Sequence, residues 1–233
     1  MKIEEAKVLV TGGSSGIGLA TARQLREAGA AVAISGRNQA RLEEAAATIG
    51  ATAIQADVSI EADVERMVSD TIEALGGYNV LINNAGLGKF SPLVDQSAED
   101  FRSVWETNVL GAMLVGRESA RHFVREDYGN IVNIASTAAE KGFAGGSAYV
   151  ASKFALRGLT ECWRAELRKN NVRVIQVNPS EVITEFAERA GYGQEVNESK
   201  LQADDIAEII VDVLRMRDRG FVTEATVWAT NPK

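Results

Sequence analysis

KVLVTGGSSGIGLATARQLREAGA, residues 7–30, joins a short apolar run, a glycine-rich loop and an amphipathic segment. The apolar run predicts a buried strand, and the amphipathic segment predicts a helix that ends near Gly29. Glycines in the loop permit a tight turn and bring backbone N–H groups to the N-terminus of the helix, where a phosphate can bind. The segment therefore predicts a strand–loop–helix unit with an anion-binding turn.

The same alternation continues along the rest of the chain. Further strands are predicted at residues 31–35, 51–58, 79–86, 130–136, 171–179 and 224–230. Helices are predicted at residues 38–50, 61–75, 97–125, from 147 onward and at 203–216, whereas residues 180–201 are irregular and polar. Strict alternation predicts parallel strands with helices on both faces. We expect an α/β, Rossmann-type, doubly wound parallel sheet of about seven strands, in a single dinucleotide-binding and catalytic domain spanning residues 1–233.

Composition and charge exclude several function classes. The chain has 233 residues, a net charge of −7 and one cysteine, Cys162. Its acidity argues against a nucleic-acid binder, and no stretch approaches the ~18 apolar residues of a membrane helix. No spacing of His, Cys and Asp indicates a metal site, so none is expected. A lone cysteine forms no disulfide within the chain, and these features together predict a cytoplasmic protein without nucleic-acid or membrane partners.

The spacing of the loop glycines favours a dinucleotide over a nucleoside triphosphate. Gly12, Gly16 and Gly18 form a Gly-x-x-x-Gly-x-Gly pattern, followed by Leu19 and Ala20. A phosphate loop of the ATPase kind requires Lys-Ser/Thr after its final glycine, which this chain lacks. For the loop taken alone, an ordinary glycine turn is the alternative interpretation.

Tyr149 and Lys153 form a second candidate site. They are four residues apart in a predicted helix, so their side chains share one face, one turn apart. A nearby cation favours the phenolate and is expected to lower the tyrosine pKa from its usual value of about 10. The pair is therefore an acid–base candidate, although chance spacing on a solvated helix is the alternative for the pair by itself.

Together these motifs resemble the short-chain dehydrogenase/reductase family, and in particular its NADP-dependent 3-oxoacyl-[acyl-carrier-protein] reductase-like members. The resemblance spans nearly the whole chain. Besides the glycine loop, the matching features are Asp57-Val58 after the third strand, NNAG at residues 83–86, Asn108, Ser136 thirteen residues before Tyr149, and YVASK at residues 149–153. One departure is Ser180, which stands where the family usually has glycine; serine fits there only with a negative φ.

The resemblance implies an oxidoreductase that transfers a hydride between NADP(H) and a carbonyl or secondary alcohol. Tyr149 would donate or accept the proton, Lys153 would lower its pKa and hold the nicotinamide ribose, and Ser136 would hydrogen-bond the substrate oxygen. Asn108 would hold a water that links Lys153 to solvent. The implied substrate is a 3-oxoacyl thioester or another small ketone. Oxidation of a small hydroxy acid or alcohol, and a non-catalytic dinucleotide sensor, are the alternatives.

The resemblance also implies a cofactor site around the glycine loop and the strand ends. Its expected residues are Gly12, Ser14, Ser15, Gly16, Ile17, Gly18, Arg37, Asn38, Asp57, Val58, Asn84, Ala85, Gly86, Tyr149, Lys153, Pro179, Val182 and Thr184. The second strand ends in Ser35-Gly36-Arg37-Asn38, without an acid for the ribose hydroxyls of NAD, and Arg37 can pair with a 2′-phosphate. NADP(H) is therefore expected in preference to NAD(H), with an exposed helix-opening arginine as the alternative.

Four further expectations concern single regions. Residues 184–201 are expected to form a mobile substrate loop. The family resemblance implies a homodimer or homotetramer. His122, beside Arg121 and Arg125, is expected to belong to a solvated charge cluster, and Cys162 is expected to be a buried packing residue.

Overall fold

The computed structural model describes residues 1–191 and 199–231, apart from the side chains of residues 188 and 189. Its strands are Lys7–Thr11 (β1), Ala31–Gly36 (β2), Thr52–Gln55 (β3), Val80–Asn83 (β4), Gly129–Ile134 (β5), Val172–Pro179 (β6), Val182–Ile183 (β7), Leu201–Gln202 (β8) and Glu224–Val227 (β9). Its α-helices are Gly16–Glu27 (α1), Gln39–Ile49 (α2), Glu61–Leu75 (α3), Ala98–Trp105 (α4), Ala112–Arg125 (α5), Ser147–Leu167 (α6), Glu185–Arg189 (α7) and Ala203–Arg215 (α8).

Seven of these strands form one parallel sheet in the order β3-β2-β1-β4-β5-β6-β9. The strand order reverses between β1 and β4, so the predicted Rossmann-type, doubly wound α/β sheet is confirmed. Apolar side chains fill both faces: Val8 and Val10 of β1 pack toward α1 and α8, and Leu9 packs toward α3 and α5. Burial on both faces explains why the strands are apolar without alternation. Within the described ranges, no helix is long and apolar enough to cross a membrane.

The predicted continuous helix over residues 97–125 is interrupted. A π-helical turn, Glu106–Gly111, joins α4 to α5 and carries Asn108. At the end of this turn the chain runs close to Val58: a Cβ on Gly111 would lie 2.8 Å from Val58 Cγ2. The spacing of apolar residues in the sequence indicates a helix but does not reveal the extra residue of a π turn. The helical region was therefore predicted, whereas the π turn within it was not.

The polar segment 180–201 contains more regular structure than expected. The short strands β7 and β8 pair with each other, and the helix α7 lies between them. Residues 192–198 of the expected mobile loop lie outside the described residues. Ser180 does not adopt a positive φ, since the non-glycine residues that do so in the described ranges are Asp127 and Asn171. The Ser180 N–H donates to the Val227 carbonyl (2.9 Å). A serine is therefore accommodated at this position, directly after the end of β6.

Two single-residue expectations are wrong. His122 is buried rather than part of a solvated cluster: its Nε2 lies 3.0 Å from the Tyr78 carbonyl oxygen and its ring stacks on the Tyr78 ring. Cys162 is exposed rather than buried. The buried face of α6 includes Leu156 and Thr160, and a residue two positions beyond Thr160 points to the opposite side of a helix.

Candidate active site

A cavity of about 1000 Å³ lies at the carboxyl ends of the strands, above the point where the strand order reverses. Open parallel sheets bind ligands at this point. Every residue expected to bind the cofactor lines the cavity except Gly18, and Ser136 lines it as well. Asn108 does not line the cavity but is buried behind its wall. The structure therefore brings nearly all of the sequence-predicted site residues to one place.

The glycine loop is shaped by its backbone. Gly12 and Gly16 have φ angles of +63° and +51°, which side chains other than glycine rarely adopt. A Cβ on Gly18 would collide with the Gly12 carbonyl oxygen and lie 2.5 Å from Asn84 Nδ2. Asn84 Nδ2 in turn donates to the carbonyls of Thr11 (3.0 Å) and Gly12 (3.2 Å), which ties the loop to the end of β4. The ordinary-turn interpretation does not explain why all three positions require glycine.

This loop fits a dinucleotide phosphate. α1 starts at Gly16, and its first turn contains no acidic side chain, so its N-terminal N–H groups and helix dipole face the cavity without a competing negative charge. Thr184 closes the loop from the opposite side, with its Cβ 3.3 Å from where a Gly16 Cβ would stand. The cradle is thus narrow and rich in backbone donors.

Two arginines lie at the end of the cavity beside β2. Arg37 is 69% exposed, and its Nη1 lies 3.9 Å from Asp57 Oδ2. Arg41, which the sequence analysis did not select, lines the same end; its Nε donates to the Ser14 carbonyl (3.4 Å), and its guanidinium pairs with Glu185 of α7. No spacing pattern in the sequence marks it, because Arg37 precedes α2 and the contacts of Arg41 are with residues far away in the chain.

At the other end, three polar side chains meet. Tyr149 and Lys153 lie one turn apart on α6, with Lys153 Nζ 5.5 Å from the centre of the Tyr149 ring. Lys153 Nζ donates to the Ile134 carbonyl (2.8 Å) at the end of β5. Ser136, just beyond β5, lines the cavity together with Tyr149, and its Oγ accepts from the Ala138 N–H (3.1 Å). The end of β5 therefore holds Lys153 and places Ser136 in the same cavity as Tyr149.

Asn108 stabilises this arrangement from behind. Its Oδ1 accepts from the Leu87 N–H (2.7 Å), and its Nδ2 donates to the Leu87 carbonyl and to Ser152 Oγ (both 2.9 Å). Ser152, which the sequence analysis missed although it lies within the YVASK motif, donates a hydrogen bond from its hydroxyl to the Tyr149 carbonyl (2.6 Å). Asn108 thus joins the loop after β4 to the backbone of α6. The water-holding role expected for Asn108 stays a prediction.

Burial controls the pKa values of the pair. Burial raises the pKa of Tyr149 to about 12, and the neighbouring Ser136 hydroxyl only partly opposes this rise. Burial also lowers the pKa of Lys153 to about 8. The expectation of a lowered tyrosine pKa is therefore wrong for the chain by itself, because burial penalises the charged phenolate.

Phenylalanine side chains that no sequence motif singled out complete this end of the cavity. Phe90, Phe143 and Phe186 line it together with Tyr149. They are far apart in the chain and share no spacing, so no sequence pattern could have grouped them. In the described ranges, no three His, Cys, Asp or Glu side chains form a group that could hold a metal ion.

The chain is similar to known proteins over most of its length. The family model described as short chain dehydrogenase matches residues 6–195. A 3-oxoacyl-[acyl-carrier-protein] reductase of Bos taurus is 36% identical over 179 residues, which cover 76% of this chain and 76% of that protein.

Two solved structures cover almost the whole chain. An alcohol dehydrogenase from the archaeon Thermococcus sibiricus, complexed with 5-hydroxy-NADP, superposes with a TM-score of 0.87 at 28% identity, over 97% of this chain and 98% of that chain. A 3-ketoacyl-(acyl-carrier-protein) reductase from Brucella melitensis, complexed with NADH, superposes with a TM-score of 0.89 at 28% identity, over 97% of both chains.

Proposed function

Since this chain belongs to the short-chain dehydrogenase/reductase family, we propose that it is an NADP(H)-dependent reductase of small ketones in which Tyr149 donates the proton. The observation that carries the proposal is the meeting of the Tyr149 hydroxyl, the Ser136 hydroxyl and the Lys153 ammonium in one cavity with the glycine loop. A dinucleotide sensor would need the loop but not these three groups.

Tyr149 and Ser136 act on the substrate oxygen. When bound, NADP(H) supplies the hydride that adds to the carbonyl carbon. Tyr149 gives its hydroxyl proton to the oxygen, and Ser136 donates a hydrogen bond to the same oxygen as negative charge develops there. With its pKa raised to about 12, the phenol is fully protonated at neutral pH. This protonation state suits a proton donor.

Lys153 supplies a positive charge beside the phenol. Its pKa of about 8 leaves the ammonium mostly protonated at neutral pH. The charge stabilises the phenolate that remains on Tyr149 after proton transfer. Lys153 and Tyr149 are also the groups that would hold the nicotinamide ribose. Asn108, through Ser152, keeps the first turns of α6 in register with the loop after β4.

The preference for NADP(H) rests on charge at the opposite end of the cavity. The loop from Gly12 to Gly18 would hold the pyrophosphate, and Arg37 and Arg41 would pair with the 2′-phosphate. Each arginine has an acidic neighbour: Arg41 pairs with Glu185, and Asp57 lies 3.9 Å from Arg37. The Oδ1 atom of Asp57 accepts from the Ser59 N–H (3.0 Å) and hydroxyl (2.7 Å). The two solved relatives carry different nicotinamide cofactors, so the proposal depends on the arginines.

The proposal is tested by following absorbance at the reduced-nicotinamide band with a panel of small ketones and a 3-oxoacyl thioester, using NADPH and NADH separately. We expect turnover with at least one ketone and a higher kcat/KM with NADPH. Tight NADPH binding without turnover of any carbonyl would favour the sensor. A higher kcat/KM with NADH would overturn the cofactor assignment while leaving the reductase assignment intact.

We also propose that the protein forms a homodimer or homotetramer in the cytoplasm. Three large aromatic side chains on α4 and α6, Phe101, Trp105 and Phe154, are more than one-third exposed. Such surface suits an interface between copies of the chain, and the exposed Cys162 thiol suits a reducing compartment. Light scattering coupled to gel filtration should give at least twice the monomer mass of 25.0 kDa; a monomer would contradict the proposal.

A further inference from the structure

Three of the chain's seven phenylalanines surround the catalytic tyrosine, and we call them the phenylalanine wall: Phe90, Phe143 and Phe186. The ring centres of Phe90 and Phe186 each lie 5.6 Å from that of Tyr149, with interplanar angles of 66° and 53°. Phe143 extends the wall from Phe90, with the ring centres 5.9 Å apart. These are distances at which aromatic rings attract each other edge to face.

Two glycines make room for the wall. A Cβ on Gly88 would lie 2.6 Å from Phe186 Cζ and 3.2 Å from Phe90 Cε2, and a Cβ on Gly146 would lie 2.6 Å from Phe143 Cε2. Neither glycine has a positive φ. Close packing of the rings, rather than backbone conformation, is therefore what requires glycine at both positions.

The wall leaves apolar surface facing the cavity. Phe143 is 52% exposed, and Phe90 and Phe186 are partly exposed. These rings come from three segments: the loop after β4, the loop before α6, and the start of α7. An apolar ligand that covers them removes apolar area from water, which favours binding. A flat ring can lie against tilted aromatic walls on more than one side, whereas a flexible chain must first lose its rotational freedom.

Charges near the wall do not suit a phosphate-bearing substrate. Of the charged residues that line this end of the cavity, Lys153 belongs to the catalytic centre, Glu181 pairs with Lys200 (3.0 Å) and Glu185 pairs with Arg41. Among the described lining residues this leaves Lys141, an exposed lysine. Phosphate recognition in proteins typically uses clustered arginines or a helix N-terminus, and both are at the other end.

We propose that the substrate is an uncharged ketone with a flat apolar ring close to its carbonyl carbon, held by the phenylalanine wall. The inference rests on the proposed reductase function and narrows its substrate class. It separates this chain from a reductase of straight-chain acyl thioesters, because the thioester carrier brings phosphate groups and a flexible chain, and neither matches the wall.

The test compares two methyl ketones with equal carbon counts and unconjugated carbonyls, 4-phenyl-2-butanone and 2-decanone, under saturating NADPH. For the wild type we expect kcat/KM for the ring-bearing ketone to exceed that for the chain by about tenfold. Phe90→Leu and Phe186→Leu should each lower this ratio by roughly threefold to tenfold, because the ring–ring contacts are lost while apolar volume is retained. Gly88→Ala should lower it as well, by displacing Phe186.

Phe221→Leu is the matched control, since this phenylalanine packs against the hydrophobic core outside the cavity and should leave the ratio unchanged. Equal or reversed preference in the wild type, or an unchanged ratio in both wall variants, would overturn the inference without touching the reductase assignment. Calorimetric titration of both ketones into the protein with NADP⁺ provides a readout that does not need turnover. Tighter binding of the ring-bearing ketone, weakened by Phe186→Leu, supports the wall even if neither ketone is reduced; equal binding rejects it.

Discussion

The two ends of the cavity are built by different means. At the phosphate end, the cavity wall is mainly the backbone of residues 11–18. This backbone can take its shape because Gly12, Gly16 and Gly18 have no Cβ atom. At the catalytic end, side chains from the end of β5, the π turn, α6 and α7 converge on Tyr149. The first end is a local property of one sequence segment, whereas the second exists only when distant segments have folded together. Substitutions at the phosphate end should therefore mainly lower cofactor affinity, whereas substitutions at the catalytic end should mainly lower the rate of turnover.

The largest effect is expected from Tyr149→Phe at the catalytic end. Loss of the proton donor should lower kcat/KM by about 10²–10⁴-fold. The NADPH dissociation constant should rise by no more than about tenfold, because the variant loses one hydrogen bond to the nicotinamide ribose and leaves the phosphate end untouched. Ketone-dependent NADPH oxidation and NADPH fluorescence titration measure the two quantities. A variant that turns over at the wild-type rate would remove Tyr149 from the chemistry.

Gly18→Ala should instead impair cofactor binding at the phosphate end. The new methyl group collides with the Gly12 carbonyl oxygen, so the loop must shift; NADPH affinity should fall more than about tenfold, and stability should fall by about 1–3 kcal/mol. Gly158→Ala in α6 is the matched control. Nothing lies within 4 Å of its added Cβ, so it should stabilise the helix by about 0.5–1 kcal/mol. Equal effects of the two substitutions on NADPH affinity would contradict the role given to the loop.

Lys153→Met should separate activity from stability at the catalytic end. The variant should lose activity, yet at pH 7 it should unfold at a higher temperature than the wild type. The reason is that folding buries the ammonium, whose pKa falls from 10.5 to about 8. The fall in the lysine pKa corresponds to about 3 kcal/mol, and loss of the Nζ hydrogen bond to the Ile134 carbonyl offsets about 1 kcal/mol of this gain. In the wild type this penalty is complete below pH 8 and fades as the pH rises to 10.5.

The stability gain of Lys153→Met should therefore be largest below pH 8 and absent near pH 10.5, as thermal unfolding across this range can measure. A gain that does not depend on pH would show that packing rather than charge burial is responsible. The hydrogen bonds of Ser152 Oγ do not involve the Lys153 side chain, so the hydrogen bond that the substitution removes is the one from Nζ to the Ile134 carbonyl.

The smallest effect is expected from Arg37→Ala at the phosphate end. Charge-assisted hydrogen bonds to a 2′-phosphate are strong, but this side chain is 69% exposed. NADPH should therefore bind about tenfold more weakly, with the difference shrinking in high salt and NADH affinity unchanged. Arg41→Ala should act in the same direction. Dissociation constants for NADPH and NADH, measured at two ionic strengths, test whether Arg37 contacts the 2′-phosphate. Equal weakening of NADPH binding and NADH binding would exclude this contact.

The same contrast explains what the sequence could predict. The glycine loop, Ser136, Tyr149 and Lys153 were identified because each belongs to a short motif with fixed spacing, and the strand–helix alternation was sufficient for the sheet. Arg41 was missed because its role depends on its contacts with Ser14 and Glu185, which lie far from it in the sequence. The phenylalanine wall was missed for the same reason.

The wrong expectations share a physical cause, which is burial. The charged sequence neighbours of His122 suggested an exposed position, although its ring stacks on Tyr78 inside the protein. The tryptophan next to Cys162 suggested burial, although Cys162 is exposed to solvent. The pKa of Tyr149 was expected to fall because the nearby cation is visible in the sequence, whereas the desolvation that raises it is not.

Transfer of deuterium from the cofactor to the product tests the central claim most directly. The protein is incubated with NADPH that carries deuterium at both C4 positions and with the ketone panel, and the alcohols formed are analysed by mass spectrometry. We expect one deuterium on the carbinol carbon of each alcohol formed by the wild type, and almost none formed by Tyr149→Phe in the same time. Absence of labelled alcohol from every ketone, with deuterated NADH as well as NADPH, would contradict the account, as would equal labelling by the Tyr149→Phe variant.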